Sequence, residues 1–485
     1  MSRRLGVLIG GEWTEPAGAE WQPDLNPADT RDVVAEVPLL DEAALGRAVE
    51  AAHAGLAEWS RRSPIERGVV LRRAAAILRQ NVEPYADDLA REMGKTLPEA
   101  RGEVARAAEF FEYYASLGRL PKGEILPDER ASVDAYTVRE PVGIVLAITP
   151  WNDPMVTPAR KLAPALQAGN AVILKPSTLT PLSAAHLAEA LTEAGLPPGA
   201  LACVTAGGPA TSRAFVESGR VQAVTFTGST EVGLGLQRSA AGRNIRVETE
   251  MGGKNAAVIL RDADLDLAIE AVVSGAFGQA GQRCTATSRL LVHEDLYAEV
   301  LERLVERTRA LRIGAALDAQ TQMGPLVELR HLEKVLGYVE IGRSEGARLA
   351  LGGSRLMDGP LANGYFASPA IFADASEDMR IWQEEIFGPV LAVRRVRSVA
   401  DAIAVVNRSA YGLSASVFTQ DIAMAHAFAS GVDVGNVGVN LPTSGWDVHE
   451  PFGGFKHSGS GEKEHGLEGL HFYTRTKTIA VRYGA

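Results

Sequence analysis

The amino-acid sequence predicts an α/β protein built on doubly wound parallel sheets, in two successive halves that meet near residue 252. Three observations predict it. Short apolar runs alternate with helical stretches from about residue 142 onward. Polar, glycine-containing turns close those runs at their carboxyl ends. The 485 residues also exceed the roughly 250–300 that one hydrophobic core can serve.

The elements follow in chain order. Leu45, Val49, Ala52, Leu56 and Trp59 recur at helical spacing behind Asp41, a candidate N-cap. Ser63-Pro64-Ile65-Glu66 has the form of a capping box with proline at the first helical position. Val70, Leu71, Ala74, Ile77 and Leu78 then mark the stripe that this helix should bury. Ile144 to Ile148 is a continuous apolar run, the pattern of a strand covered on both faces. A helix through Leu162, Ala165 and Leu166 follows. Next come a strand at Ala171 to Leu174, a helix opened by Thr180-Pro181 and running to Ala194, and a strand from Val221 to Phe226. Alternation of this length implies right-handed crossovers between parallel strands. After Gly253 it restarts, with a strand at Ala256 to Leu260 and a helix along Leu265, Ile269, Val272 and Val273. Further strands are expected at Ser288 to Val292, Pro389 to Val393, Ser414 to Phe418 and Gly435 to Asn440.

Composition narrows the function. The chain is 46% hydrophobic and 22% charged, with a net charge of −11 and no cluster of Lys and Arg, so no nucleic-acid partner is expected. No run of about 18 apolar residues suggests a membrane span. Arg3 and Arg4 are followed by Gly10-Gly11-Glu12-Trp13 instead of an apolar stretch, so no secretory signal is expected. Two cysteines, Cys203 and Cys284, make no disulfide framework and fit a reducing, cytoplasmic compartment. The nine histidines show no His-x-x-x-His spacing, and no metal is expected.

Unusual residues gather where strands end. The first strand closes in Thr149-Pro150-Trp151-Asn152 and the second in Lys175-Pro176-Ser177. The third closes in Thr227-Gly228-Ser229-Thr230-Glu231-Val232-Gly233, a glycine turn into a helix that can offer N–H groups to a pyrophosphate. Its Gly-x-x-x-x-Gly spacing is not the usual dinucleotide fingerprint, and a plain strand-turn-helix junction reads the same way. Lys175 at a strand end suits ribose hydroxyls or phosphate, and equally suits solvent. Glu250 stands at a strand end beside Gly252-Gly253, where glycine permits close backbone approach. Gly281-Gln282-Arg283-Cys284-Thr285 places a cysteine among polar neighbours, with Arg283 expected to favour its thiolate. Cys203, within Leu201-Ala202-Cys203-Val204, reads as core.

In this order the motifs resemble those of the aldehyde dehydrogenases over essentially the whole chain. They are Pro150-Trp151-Asn152, Lys175-Pro176-Ser177, Phe226-Thr227-Gly228-Ser229, Glu250-Met251-Gly252-Gly253-Lys254, Gly281-Gln282-Arg283-Cys284, Glu384-Glu385-Ile386-Phe387-Gly388-Pro389 and Pro451-Phe452-Gly453-Gly454-Phe455-Lys456. The resemblance implies a Rossmann-like NAD(P)-binding domain of residues 1–121 and 142–252 and an α/β catalytic domain of residues 253–465. It also implies a small β oligomerisation element of residues 122–141 and 466–485, in a homodimer or homotetramer. Cys284 is implied as nucleophile, Asn152 with the Cys284 backbone N–H as oxyanion donors, and Glu250 as general base. On the cofactor side it implies Lys175 and Glu385 on ribose hydroxyls, Ser229 on the pyrophosphate and Phe387 at the nicotinamide end. Trp151 belongs near the cofactor or in the site wall, and Ser177, Gly228 and Gly233 complete the set. Many NAD-preferring relatives carry glutamate where this chain has Thr178, so the choice between NAD and NADP stays open.

Two arginines point to an acidic semialdehyde as substrate. Arg160 stands where similar semialdehyde dehydrogenases carry a carboxylate-binding arginine, and Arg283 directly precedes the nucleophile. The segments Gly281 to Arg289, Asn440 to Thr443 and Pro451 to Gly454 resemble α-ketoglutarate semialdehyde dehydrogenases in particular, with succinate semialdehyde close behind. Trp446 and His449 are candidates for the substrate mouth. Competing readings are a dehydrogenase for neutral aromatic or aliphatic aldehydes, an acylating enzyme that uses coenzyme A, and a non-catalytic member of the fold. The presence of Glu250 argues against the second, and the full set Cys284, Glu250 and Asn152 against the third.

Overall fold

The computed structural model describes residues 3–484. Two seven-stranded sheets dominate. The first runs in the order Arg246–Glu250, Ala223–Thr227, Ile144–Ile148, Ala171–Lys175, Leu201–Cys203, Val7–Ile9 and Glu12–Thr14. Its first five strands are parallel. An antiparallel hairpin from the N-terminus, which the hydrophobic pattern does not announce, closes the far edge.

The continuous apolar runs are explained by cover on both faces. Val145, Ala147, Val172 and Leu174 enter one core, and Ile144, Leu146, Ile148 and Ile173 enter the other. Successive side chains of a strand point to opposite faces, so a sheet between two helical layers needs apolar residues at every position. The helix Glu42–Trp59 is capped as its sequence implies, Asp41 accepting the Ala44 N–H at 2.8 Å. The Ser63–Glu66 box closes reciprocally at 3.2 and 2.7 Å at the head of Pro64–Gln80.

From Ile144–Ile148 the chain winds one way through Ala171–Lys175 and Leu201–Cys203, and the other way through Ala223–Thr227 and Arg246–Glu250. The crevice between the first and fourth of these strands is therefore a topological switch point, where ligands of open α/β sheets bind. The second sheet runs Arg348–Leu351, Ala370–Ala373, Val390–Val396, Thr287–His293, Asn255–Ile259, Ser414–Phe418 and Asn436–Val439, parallel except at its first pair. A third, antiparallel sheet joins Ile125–Leu126, Val133–Pro141 and Thr474–Arg482, with Thr474 opposite Pro141 and Arg482 opposite Val133. No helix among the described residues is long and apolar enough to cross a membrane.

Observed boundaries depart from the sequence reading by one to three residues. The third strand starts at Ala223 instead of Val221, and Cys203, read only as core, ends a short fifth parallel strand.

Candidate active site

The carboxyl ends of the parallel strands in the first sheet and the amino ends of the strands in the second face a pair of cavities of about 390 and 190 Å3 that share lining residues. Asp153, Arg160 and Cys284 line both, so Cys284 sits where two chambers meet. It is half-buried. The smaller cavity lies in the switch-point crevice and is lined by Trp151, Asn152, Gly228, Ser229, Glu385 and Phe387. Arg283, Trp446 and Phe452 line the larger one. His449 lines neither.

A strained loop carries the cysteine. The helix Leu265–Phe277 stops at Gly278, and Gln279, Ala280 and Gly281 then take φ of 50°, 54° and 69°. Left-handed non-glycine residues persist only where their surroundings hold them. Gln279 is held from several sides. Its backbone N–H donates to Glu99 at 2.9 Å, and its amide donates to Asp153 at 3.0 Å and to the Asn152 carbonyl at 3.2 Å. The Cys284 and Ala286 carbonyls accept from the Asn255 amide at 2.8 and 2.9 Å, which ties the loop to the second sheet.

The same network orients Asn152. Its amide donates to Asp153 at 3.2 Å, and Asp153 accepts from Lys95 at 3.2 Å. Lys95 is buried and also pairs with Glu103, which accepts the Met155 and Val156 N–H groups at 2.9 and 3.0 Å. Sequence reasoning missed Lys95, Glu99, Glu103, Asp153 and Gln279. Lys95, Glu99 and Glu103 share one short segment remote from Asp153 and Gln279, and none of the five belongs to a motif it used.

Burial pushes the Cys284 thiol up to about 12, Arg160 opposes this, and Asp153, Glu250 and Glu385 add to it. The cation that favours the thiolate is thus Arg160, on the helix Val156–Ala168, and not the adjacent Arg283. Arg283 turns away, toward Glu99 at 3.2 Å and the side-chain amide oxygen of Gln279. Arg160 is buried, with Nε 2.7 Å from Glu464 without hydrogen-bond alignment, and stacks 5.3 Å from the Phe452 ring. Its terminal nitrogens bond no protein group among the described residues.

Glu250 ends the strand Arg246–Glu250 but lines neither cavity. Its Oε2 accepts the Gly454 N–H at 3.2 Å, and Oε1 has no partner. Burial, then the charges of Glu464 and Glu248, hold its carboxyl well above the ordinary range, against Arg160 and Lys161. Behind it lies a buried polar cluster that the sequence reading also missed. Lys161 pairs with Glu464 and donates to Thr225 at 2.8 Å, and Thr225 donates to Glu248 at 2.6 Å. Lys161 sits on a helix buried at nearly every position, so no amphipathic stripe sets it apart.

The crevice fits a dinucleotide. Lys175 is 7% exposed, bonds no protein group through Nζ among the described residues, and is pushed down to about 8 by burial alone. A buried ammonium without an acceptor suits hydroxyl groups at the strand end. Glu385 accepts the Gly253 N–H at 3.0 Å and lies against Gly252, where a Cβ would come within 2.2 Å of its carboxylate. Only glycine leaves that carboxylate in place. Ser229 caps the helix Thr230–Ala241 through the Val232 N–H, leaving the positive end of that helix at the crevice. Gly233 packs where a Cβ would meet Met251 at 2.5 Å, and the Ser177 hydroxyl accepts the Leu179 N–H at 3.2 Å. Lys175, Ser177 and Gly233 stand beyond the cavity wall itself.

Comparison with known proteins agrees with this geometry. The profile of the aldehyde dehydrogenase family matches residues 13–479. An α-ketoglutaric semialdehyde dehydrogenase of Bacillus subtilis is 40% identical, over 98% of this chain and 97% of its own length. An α-ketoglutarate semialdehyde dehydrogenase of Haloferax volcanii is 42% identical, over 98% of each chain. Among solved structures, betaine aldehyde dehydrogenase of Staphylococcus aureus in complex with NAD+ superposes with a TM-score of 0.96 at 33% identity, covering 99% of this chain and 95% of that one. The chain belongs to the aldehyde dehydrogenase family and is an NAD(P)+-dependent oxidoreductase of small aldehydes.

Proposed function

We propose that the chain oxidises an acidic semialdehyde of the α-ketoglutarate semialdehyde type to the corresponding dicarboxylate. The observation that carries this reading is Arg160, which lines both chambers beside Cys284 with its terminal nitrogens free for a bidentate carboxylate. The names of the two semialdehyde-oxidising relatives support it. Arg283 is engaged through Nε by Gln279 and through a terminal nitrogen by Glu99, whereas Arg160 shares its partner Glu464 with Lys161, so the reading rests on Arg160.

Cys284 acts as nucleophile, Asn152 and the Cys284 N–H as oxyanion donors, and Glu250 as base. The thiol passes its proton to Glu250, which returns it to solvent, and Sγ adds to the aldehyde carbon while the carbonyl electron pair moves to oxygen, where the donors hold it. A bound nicotinamide would supply the hydride acceptor for that carbon. The thioester left on Cys284 is opened by water whose proton passes to Glu250, releasing the acid and the thiol. Glu250 must first swing from Gly454 toward Cys284. Lys175 and Glu385 would hold ribose hydroxyls, Ser229 the pyrophosphate and Phe387 the nicotinamide end, while Thr178 would leave room for NADP+. The protein acts in the cytoplasm, where its two free cysteines stay reduced, as a homodimer or homotetramer built on the third sheet.

The test is NAD(P)H formation with α-ketoglutarate semialdehyde, succinate semialdehyde, betaine aldehyde, benzaldehyde and hexanal, with Cys284→Ala as the blank. The expected result is a kcat/KM for an acidic semialdehyde at least tenfold above the others, about 1.4 kcal/mol of transition-state discrimination, and its loss in Arg160→Leu. A preference for neutral aldehydes would return Arg160 to a structural role.

A further inference from the structure

We infer that His331 is a positioning residue that locks Phe387 and Trp151 into the wall of the cofactor crevice and thereby sets the affinity for the dinucleotide. The inference rests on reading that crevice as the NAD(P)+ site. No sequence motif singles out His331. It lies in the first turn of the helix Leu329–Ser344 and lines the smaller cavity with Trp151 and Phe387.

Two sets of contacts carry the argument. First, the His331 Nε2 lies 2.7 Å from the Phe387 carbonyl oxygen. A carbonyl only accepts, so Nε2 carries the proton, and the donor tautomer of the ring is fixed by its partner. Burial pushes this imidazole down to about 4, so the ring stays neutral through the working range. Phe387 itself has φ of 63°, a left-handed conformation that a bulky residue seldom keeps unsupported. The hydrogen bond therefore falls on the strained peptide that aims the Phe387 ring, two residues after Glu385.

Second, the three rings close on one another. Trp151 meets His331 and Phe387 edge-on, with centroids 5.3 Å apart in each pair, and His331 meets Phe387 at 6.1 Å. Each ring comes from a different element: the turn after Ile144–Ile148, the helix Leu329–Ser344, and the loop ahead of Val390–Val396. His331 is thus the joint by which one half of the molecule fixes both aromatic walls of the crevice. Without its donor, the Phe387 peptide has no partner for a carbonyl held in a strained turn, and relaxing that turn moves the ring and Glu385 together.

The experiment compares His331→Gln, which keeps an N–H donor, with His331→Phe, which keeps a ring but no donor, and His331→Leu, which keeps neither. Calorimetric titration with NAD+ and NADP+ measures binding without turnover. Cofactor-free hydrolysis of p-nitrophenyl acetate counts the correctly assembled thiol sites in each preparation, so that a misfolded fraction is corrected for. The expected result is a dissociation constant raised at least fivefold in His331→Phe and His331→Leu, and within twofold of the parent in His331→Gln. Equal binding by all three variants and the parent overturns the inference. So does a loss in His331→Gln as large as that in His331→Phe, since packing and not the donor would then matter. If the parent chain binds neither nucleotide, the reading of the crevice itself fails, a result distinct from either of these.

Discussion

Glu250 makes the sharpest prediction at the scale of single residues. Its carboxyl is held well above the ordinary range, by burial first and then by Glu464 and Glu248. A base works only when deprotonated, so a raised value means that activity is lost as pH falls and recovers as pH rises through it. Ester hydrolysis by Cys284 without cofactor, followed from pH 5 to 9, should therefore still climb above the pH at which an ordinary carboxyl has finished ionising. Glu250→Gln should remove that limb and slow the reaction by roughly 10²–10⁴-fold, the usual contribution of a positioned base. A profile in Glu250→Gln with the same limb would assign it to another group, and Cys284, whose thiol is pushed up to about 12, is the one to examine next. The residues proposed as nucleophile, base and oxyanion donor could be picked out in sequence because each sits in a short motif. Their partners were not. Arg160 reaches Cys284 across 124 positions of chain, and adjacency pointed wrongly to Arg283.

Local signals carried most of the information about elements. Asp41, Ser63 and Asp264 all cap the helices they precede, because a cap is a contact within three residues and needs no tertiary partner. Ser63→Ala, which breaks the reciprocal box with Glu66, should lower stability by about 1 kcal/mol and shift the urea midpoint with no change in slope. A change in slope would mean that the helix Pro64–Gln80 is organised differently from its native packing. The elements that sequence misjudged are short or peripheral. The hairpin of Val7–Ile9 and Glu12–Thr14 has too few residues to display a period, and only its docking on Leu201–Cys203 makes it part of the sheet.

The third sheet raises the question of assembly for the whole molecule. Ile125 is 91% and Tyr483 55% exposed on it, and nearly all of Thr474–Arg482 faces solvent. A sheet with so little cover of its own fits a surface that a second copy covers. Light scattering should give the mass of a dimer or tetramer. A chain ending after Tyr473 loses the strand that pairs along Val133–Pro141, and should elute as a smaller or aggregated species. An unchanged mass would place the contact elsewhere.

By itself the sequence determined the period, the caps and the strand-end motifs, hence the two wound halves and the proposal of Cys284, Asn152 and Glu250 as the reacting groups. Each of these is fixed by contacts over a few residues, or by the need of a doubly covered sheet for apolar side chains on both faces. Only the tertiary structure decided which charges act on the thiol, that Lys95 and Gln279 hold the Asp153 carboxylate beside Asn152, that Glu250 rests against Gly454, and that His331 closes on Phe387 and Trp151. Those outcomes depend on distance between segments remote in sequence, and electrostatics and hydrogen bonding act through space, where chain separation carries no weight.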